Sequence, residues 1–226
     1  MILVDTVYQR VLALANKEQR GYITPQEFNL FANQAQLEIL DSYIYEINQL
    51  SRAPGNETEF SDMLSLVDEK LSFFKNDLSV SAGLDQPYPP DFYRFGKLYN
   101  QNRVVEQVNQ NQYFKYLRST FTAPSPTNPM CVLKTGTMSI YPTNLGICTI
   151  SYVRKPHDVN WGYVVINDKA LYDPSQGKTI NFELHPSEET ELVYKILKLS
   201  GAAIQKPNLA QFAQGMEQKL QQQEKQ

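Results

Sequence analysis

Apolar residues recur at helical spacing through the first third of the chain. The spacing predicts three helices, over residues 2–16, 24–50 and 59–76. The second has the clearest start, because Thr24 can serve as its N-cap and Glu27 as the reciprocal partner of a capping box. We therefore expect residues 1–76 to supply the N-terminal helices of a bundle.

Helical periodicity stops at residue 77, where prolines and shorter apolar runs begin. These runs predict strands over residues 92–99, 104–109, 112–118, 131–135, 137–141, 146–154, 161–166 and 179–184. Residues 119–129 contain three prolines and few apolar side chains, which predicts a loop or an extended hairpin tip. We assign residues 77–184 to one mainly antiparallel β module.

Helical spacing returns near the C-terminus. Residues 185–206 are predicted as a further bundle helix, and residues 207–226 as a separate Gln-rich helix. That last helix has one narrow apolar stripe, formed by Leu209, Phe212, Ala213, Met216 and Leu220. A buried helix would have a broader apolar face. The stripe therefore predicts a projecting arm that docks in a partner's groove and adds few core contacts; a frayed, solvated terminus is the alternative.

The order of helices, then strands, then helices predicts an α+β fold. In this interpretation the N- and C-terminal helices form one bundle, the β module is inserted between them, and the C-terminal helix projects.

Composition narrows the classes of function. The net charge of −3 argues against a protein that holds nucleic acid, which needs a basic face, although DNA can pass along a weakly acidic or neutral wall. The 14 Tyr and 11 Phe fit amphipathic strands on a core or subunit interfaces. Asp5 and Arg10 interrupt any signal peptide, and no apolar run reaches the ~18 residues of a membrane span. We expect a soluble protein made in a reducing cytoplasm.

A search for catalytic or ligand-binding motifs finds none. Cys131 and Cys148 lie in apolar, strand-like runs and are expected to be buried free thiols. His157 follows a strand, and His185 precedes Pro186, where it can cap a helix start. No zinc-site spacing, phosphate-binding loop or nucleophile elbow is present. We therefore expect no enzyme activity, no cofactor and no metal.

Four short runs carry a resemblance to a known family. PPDFYR at 89–94 resembles the entry to the β module of phage tail adaptors, and TMSIYP at 137–142 resembles their strand that ends in proline. TISYVRKP at 149–156 resembles their strand of aromatic, basic and proline residues, and FELHP at 182–186 resembles their return from sheet to helix. In this order the runs resemble the head-to-tail connector adaptor, or ring protein, of short-tailed bacteriophages, including the crAss-like group.

The resemblance implies a structural virion protein. Members of this family form a twelve-subunit ring that is clamped beneath the portal protein, extends the DNA channel and joins portal to tail. The C-terminal helix reaches the portal, so the apolar stripe would be the portal-docking surface. The proline-bearing loop at 119–129 departs from the family pattern and can contact a neighbouring protein of this virion.

The resemblance also implies partners and a location. The partners are the portal protein, other tail or ring proteins and further copies of the chain, with non-specific passage of DNA through the lumen during genome ejection and no membrane contact. The location is the virion, after assembly in the host cytoplasm. An α+β hydrolase or a peptide-binding module unrelated to virions is the alternative.

Overall fold

Both helices and strands are present, as the α+β prediction requires. The structure, a computed structural model, describes residues 1–17, 23–50, 58–101, 103–175, 177–203 and 214–219. Contacts divide the chain into a helical unit, Met1–Phe73 with Pro156–Gln226, and a β unit, Phe74–Lys155. The helical unit is thus built from both ends of the chain.

The helices are, in chain order, α1 (Val4–Lys17), α2 (Pro25–Leu50), α3 (Thr58–Ser72), α4 (Gln110–Tyr116) and α5 (Glu189–Ala203). A 3₁₀ turn over Pro186–Glu188 leads directly into α5, and a further helical turn covers residues 214–219. The strands are β1 (Lys75–Ser81), β2 (Gln86–Pro87), β3 (Phe92–Asn100), β4 (Arg103–Val108), β5 (Met130–Lys134), β6 (Thr137–Tyr141), β7 (Ile147–Arg154), β8 (Tyr163–Ile166) and β9 (Lys169–Tyr172).

Helix α2 organises the helical unit. It packs against α3 and α5, and α1 packs against α5. The predicted capping box is confirmed: the Thr24 amide donates to Glu27 Oε2 at 2.9 Å, and the Glu27 amide donates to Thr24 Oγ1 at 3.3 Å. The buried face of α2 repeats at helical spacing and consists of Phe28, Ala32, Ala35, Ile39, Leu40 and Tyr43. This face forms the centre of the helical core.

Side-chain amides of α2 bind extended backbone from later in the chain. Asn33 accepts from the Val159 amide at 2.6 Å and donates to the Val159 carbonyl at 3.0 Å. Asn29 accepts from the Trp161 amide at 2.8 Å. Gln36 accepts from the Glu183 amide at 3.1 Å. One amide side chain can both donate and accept, so these residues supply the partners that a neighbouring strand would otherwise provide.

The β unit is a seven-stranded mixed sheet in the order β1-β7-β3-β4-β5-β6-β2. All neighbouring pairs are antiparallel except β4 with β5. Its main core consists of Leu98, Val105, Cys131, Met138, Ile140, Cys148, Ile150 and Tyr152. A smaller cluster of Val108, Met130 and Val132 packs with Tyr113 and Tyr116 of the α4 segment.

The predicted end of the β module differs from the structure. The β unit begins at Phe74 and ends at Lys155, whereas the prediction placed residues 77–184 in the module. Residues 156–184 belong to the helical unit, where the α2 amides bind them. Within the predicted strand at 179–184, the structure has only isolated bridges, from Ile180 to Asn160 and from Phe182 to Ile2.

One predicted strand, residues 112–118, is wrong. Residues 110–116 form α4. Its start is fixed by a capping box in which the Asn109 amide donates to Gln112 Oε1 at 3.0 Å. Tyr113 and Tyr116, three residues apart, share the face that packs on the small cluster. Their aromatic content suggested a strand, but the local cap determines a helix.

Candidate interaction surfaces

The predicted histidine roles are local. His185 caps the 3₁₀ turn, since its Nδ1 accepts from the Ser187 amide at 3.3 Å, as expected for a residue before Pro186. Glu183 binds both the amide and Nδ1 of His157, at 3.0 and 2.9 Å. Within the described part of the chain, no three His, Cys, Asp or Glu residues group as metal ligands would. Nor does any helix there have the length and apolar character needed to span a membrane.

The two cysteines are free and buried in the core of the β unit, as predicted. Burial raises the pKa of the Cys131 thiol to about 12, and the neighbouring Cys148 adds to that rise. Burial also raises the pKa of Cys148, although a hydrogen bond from Asn100 opposes the effect. Thiols in this state are poor nucleophiles, so their contribution is to packing.

A shallow groove of about 290 Å³ lies between α1 and α5. Its lining is mostly apolar and consists of Arg10, Ala13, Leu14, Thr190, Val193 and Tyr194. Arg10 forms an ion pair with Glu189 at 2.9 Å. The lining includes no carboxylate or imidazole, so it does not bring together the pair of titratable groups that general acid–base catalysis uses.

The predicted portal-docking stripe is only partly within the described residues. Met216 is half-buried in the helical turn at 214–219. The other predicted positions, Leu209, Phe212, Ala213 and Leu220, lie outside the described residues. The described turn does not project freely as predicted for this segment, because its Glu217 is buried against α5.

Glu217 joins an ion-pair network with α5. Its Oε1 accepts from Lys195 Nζ at 2.7 Å and its Oε2 from Lys198 Nζ at 2.9 Å, and Glu191 lies 3.3 Å from Lys195. Lys195 and Glu217 are 6% and 7% exposed, so this is a buried pair. Burial opposes the charge of Lys195, but the Glu217 hydrogen bond and nearby carboxylates outweigh it and raise the Lys195 pKa.

The same balance acts on the carboxylate. Burial alone would raise the pKa of Glu217, but the hydrogen bonds and charges of Lys195 and Lys198 lower it. Both partners are therefore charged at neutral pH. The ion pairs fix residues 214–219 to α5.

Strands β8 and β9 form a hairpin with a firmly held base. Trp161 is buried beside it, donates from Nε1 to Asp5 at 2.9 Å, and stacks with Tyr163 and Tyr172 at ring distances of 5.8 Å. The Tyr163–Tyr172 pair is the first rung of the ladder. The aromatic stack anchors the hairpin to the helical unit.

The other end of this hairpin is apolar and exposed. We define the hairpin tip as Val164, Val165, Ile166 and Leu171, which are 41% to 59% exposed. Val164 and Ile166 lie on one face of the ribbon and Val165 on the other. Asn167 and Asp168, with φ of 50° and 60°, form the two-residue turn. Covering these side chains would remove apolar area from water, so the tip is suited to contact with another surface.

Helix α4 and the turns after it form a second exposed surface. Tyr113 stacks on Tyr141 at 4.4 Å and holds the helix to the sheet. The outward side chains combine apolar and basic character; we define them as the α4 patch, which consists of Phe114, Lys115, Leu117, Arg118 and Phe121. Phe121 is 96% exposed.

No protein-family model matches the sequence, and no curated protein matches it. Sequence reasoning missed both the hairpin tip and the α4 patch. The run from Val164 to Ile166 before Asn167 and Asp168 was a usable signal for a hairpin, but it was assigned only to a single predicted strand over residues 161–166. Its exposure is a consequence of the tertiary structure.

Proposed function

We propose that the chain is a structural virion protein, the portal-proximal adaptor ring of a phage head-to-tail connector. In this role it extends the DNA channel and joins the portal to the tail. It uses no cofactor and catalyses no reaction. The proposal takes its family from the four resembling sequence runs, and the surfaces described above give it physical support.

The hairpin tip is the observation that carries the proposal. A ribbon that is anchored by Trp161 and apolar on both faces at its tip gains stability when a second surface covers it. Removing apolar area from water is favourable by about 25 cal/mol per Å². A subunit made for assembly would present such an element, and the tip would be covered when the ring forms on the portal.

The C-terminal segment has a complementary role in this proposal. The stripe formed by Leu209, Phe212, Ala213, Met216 and Leu220 docks on the portal, and the Glu217 ion pairs attach the same segment to α5. Helices with a thin apolar edge bind grooves through anchors at this spacing. Twelve such attachments around one ring would add avidity, because each attachment raises the effective concentration of the next.

Binding to the purified portal protein of the same virus tests the proposal. We expect the wild-type chain to co-sediment with the portal as a ring. The hairpin variant Val165→Asp should melt at nearly the wild-type temperature, because the side chain is exposed, but should assemble poorly, because it places a charge in a covered apolar contact.

Val104→Asp is the matched control. Val104 is a comparably exposed valine on β4, outside the hairpin. Retained assembly of this variant alongside failure of Val165→Asp would support the proposal. Absence of any wild-type binding to the portal would overturn the adaptor role.

A further inference from the structure

The two units of the chain carry opposite net charge. The β unit contains nine Lys and Arg and four Asp and Glu, so its net charge is +5. The helical unit contains twelve Lys and Arg and twenty Asp and Glu, so its net charge is −8. The two values account for the −3 of the whole chain. Complementary potentials favour contact between unlike units of two copies and disfavour contact between like units.

The basic character of the β unit is concentrated in its second half. No Asp or Glu occurs between Glu106 and Asp158. The α4 patch lies within this stretch, and Lys115 and Arg118 are exposed beside Phe114, Leu117 and Phe121. Exposed aromatic and arginine side chains together are typical of protein interfaces.

Helix α2 presents the opposite kind of surface. It contains four Asp and Glu and no Lys or Arg. Its outer side carries a line of residues at helical spacing, which we define as the α2 stripe and which consists of Glu27, Leu30, Glu38, Asp41 and Tyr45. Leu30 and Tyr45 are well exposed, although both are large and apolar. The stripe therefore combines negative charge with apolar contact area.

We propose that the α4 patch of one copy docks on the α2 stripe of a second copy. Lys115 and Arg118 face carboxylates of the stripe, and the exposed aromatic side chains cover Leu30 and Tyr45. The patch and the stripe are different surfaces, so the contact is heterologous, and repetition of a heterologous contact produces a ring when the rotation closes. This inference rests on the proposed ring and assigns its subunit contact.

Each such contact is weak in isolation. Exposed ion pairs contribute little in water and are screened by salt, and the patch has three large apolar side chains and the stripe two. The chain is therefore monomeric at micromolar concentration and closes into a ring when the portal holds neighbouring copies together. On the portal, neighbouring copies are held at a high effective concentration, so a weak contact between them is enough to close the ring.

A charge-swap experiment on the full chain tests the inference. Sedimentation at several hundred micromolar and low ionic strength should show wild-type self-association. About 1 M salt, where the Debye length is about 3 Å, should weaken it. The patch variant Lys115→Glu with Arg118→Glu and the stripe variant Glu38→Lys with Asp41→Lys should each associate at least tenfold more weakly.

Mixing the two variants is the decisive step. The mixture restores one native pair of surfaces and creates one pair with swapped charges, so association should return. The control Lys75→Glu with Lys97→Glu makes the same change of net charge as the patch variant, but on β1 and β3. It should associate as the wild type does. Restored association in the mixture also shows that both variants are folded.

Two results would overturn the inference. The first is wild-type self-association that is unchanged by either variant, or none at all at these concentrations. The second is that the wild type binds a DNA fragment, that the patch variant does not bind it, and that no contact between copies is detected. The patch would then be a phosphate-binding surface. Portal binding that survives either result would leave the adaptor role intact, and self-association without portal binding would leave this contact intact.

Discussion

At the scale of single residues, burial and ion pairing determine the state of the buried titratable groups that the structure describes. The most perturbed thiol, Cys131, is held neutral by burial. The buried charges of the described residues are paired, as Glu188 is with Lys70 at 2.7 Å and Glu217 with Lys195 at 2.7 Å. A buried charge whose partner is removed costs far more free energy than the pair contributes. Removing either partner of these pairs should therefore destabilise the fold.

We expect Cys131 and Cys148 to resist alkylation in the native protein. At about pH 8 both thiols are protonated and buried, and the thiolate is the reactive form. Mass spectrometry after iodoacetamide treatment should find no label on either residue until a denaturant unfolds the chain. Rapid native labelling of Cys131 would contradict its place in the core.

Glu217→Gln should destabilise the chain by roughly 2 to 3 kcal/mol. Because Glu191 remains near Lys195, the expected loss of stability lies at or below the low end of the range for breaking a buried ion pair. Thermal melting at neutral pH measures it, and Glu69→Gln, an exposed glutamate on α3, is the control. An unchanged melting temperature would mean that residues 214–219 contribute little to the fold, as the sequence had predicted for a projecting arm.

The same variant makes a prediction about pH. Because the Glu217 pKa is lowered from its ordinary value of 4.5, its contribution is fully present above that value. The contribution falls as pH drops through the folded-state pKa. The stability difference between wild type and Glu217→Gln should therefore shrink below about pH 4.5.

At the scale of elements, α2 connects separate parts of the chain. Its apolar face forms the helical core, and Asn29, Asn33 and Gln36 bind the extended backbone near Val159 and Glu183. One helix therefore replaces a neighbouring strand for these segments. The arrangement explains why they belong to the helical unit.

Asn33→Leu should destabilise the protein by about 2 to 4 kcal/mol, since it leaves the Val159 amide and carbonyl without their partner. Chemical denaturation measures the loss. Gln34→Ala, on the exposed side of the same helix, removes only an i,i+4 hydrogen bond to Glu38 and should cost about 0.5 kcal/mol or less. Equal losses for the two variants would contradict the proposed role of the amides.

The elements that local signals determine could be predicted from the sequence. The capped start of α2 is of this kind, and so is the turn at Gly136 between the strands predicted over residues 131–135 and 137–141. Strand β1, with sequence KNDLSVS, was missed because it is polar and mostly exposed, and its partner β7 supplies the pairing. Residues 179–184 were interpreted as a strand from the spacing of their apolar residues. That spacing cannot show that side-chain amides of α2, and not a neighbouring strand, bind their backbone.

The candidate surfaces were also only partly predictable from the sequence. The apolar run from Val164 to Ile166 is visible in the sequence, but only the fold leaves it exposed. The basic stretch between Glu106 and Asp158 was also visible, but the net charge of the whole chain concealed it. Charge counted by structural unit is the more informative quantity.

At the scale of the whole molecule, the described surfaces fit the subunit role that we propose. Its described helices and strands present an anchored apolar hairpin tip, and its two units carry opposite charge. Each of these surfaces offers only a few large apolar side chains, so we expect contacts between free copies to be weak. Assembly on a template is consistent with all of them.

We expect the purified protein to be monomeric at micromolar concentration. The hairpin tip, the α4 patch and the α2 stripe each have only a few large apolar side chains, and charged contacts between copies are expected to be weak in solution. Sedimentation velocity at low micromolar concentration should give a single species near the 25.9 kDa mass of the chain. A stable closed ring of the protein alone would show that the portal is not needed as a template.

Cryo-electron microscopy of mature virions of the proposed phage tests the adaptor role most directly. We expect a ring of twelve copies directly beneath the portal, with residues 207–226 against portal subunits and the hairpin tip covered. Density at the head-to-tail junction that excludes this fold, or mature virions that lack the protein by mass spectrometry, would contradict it.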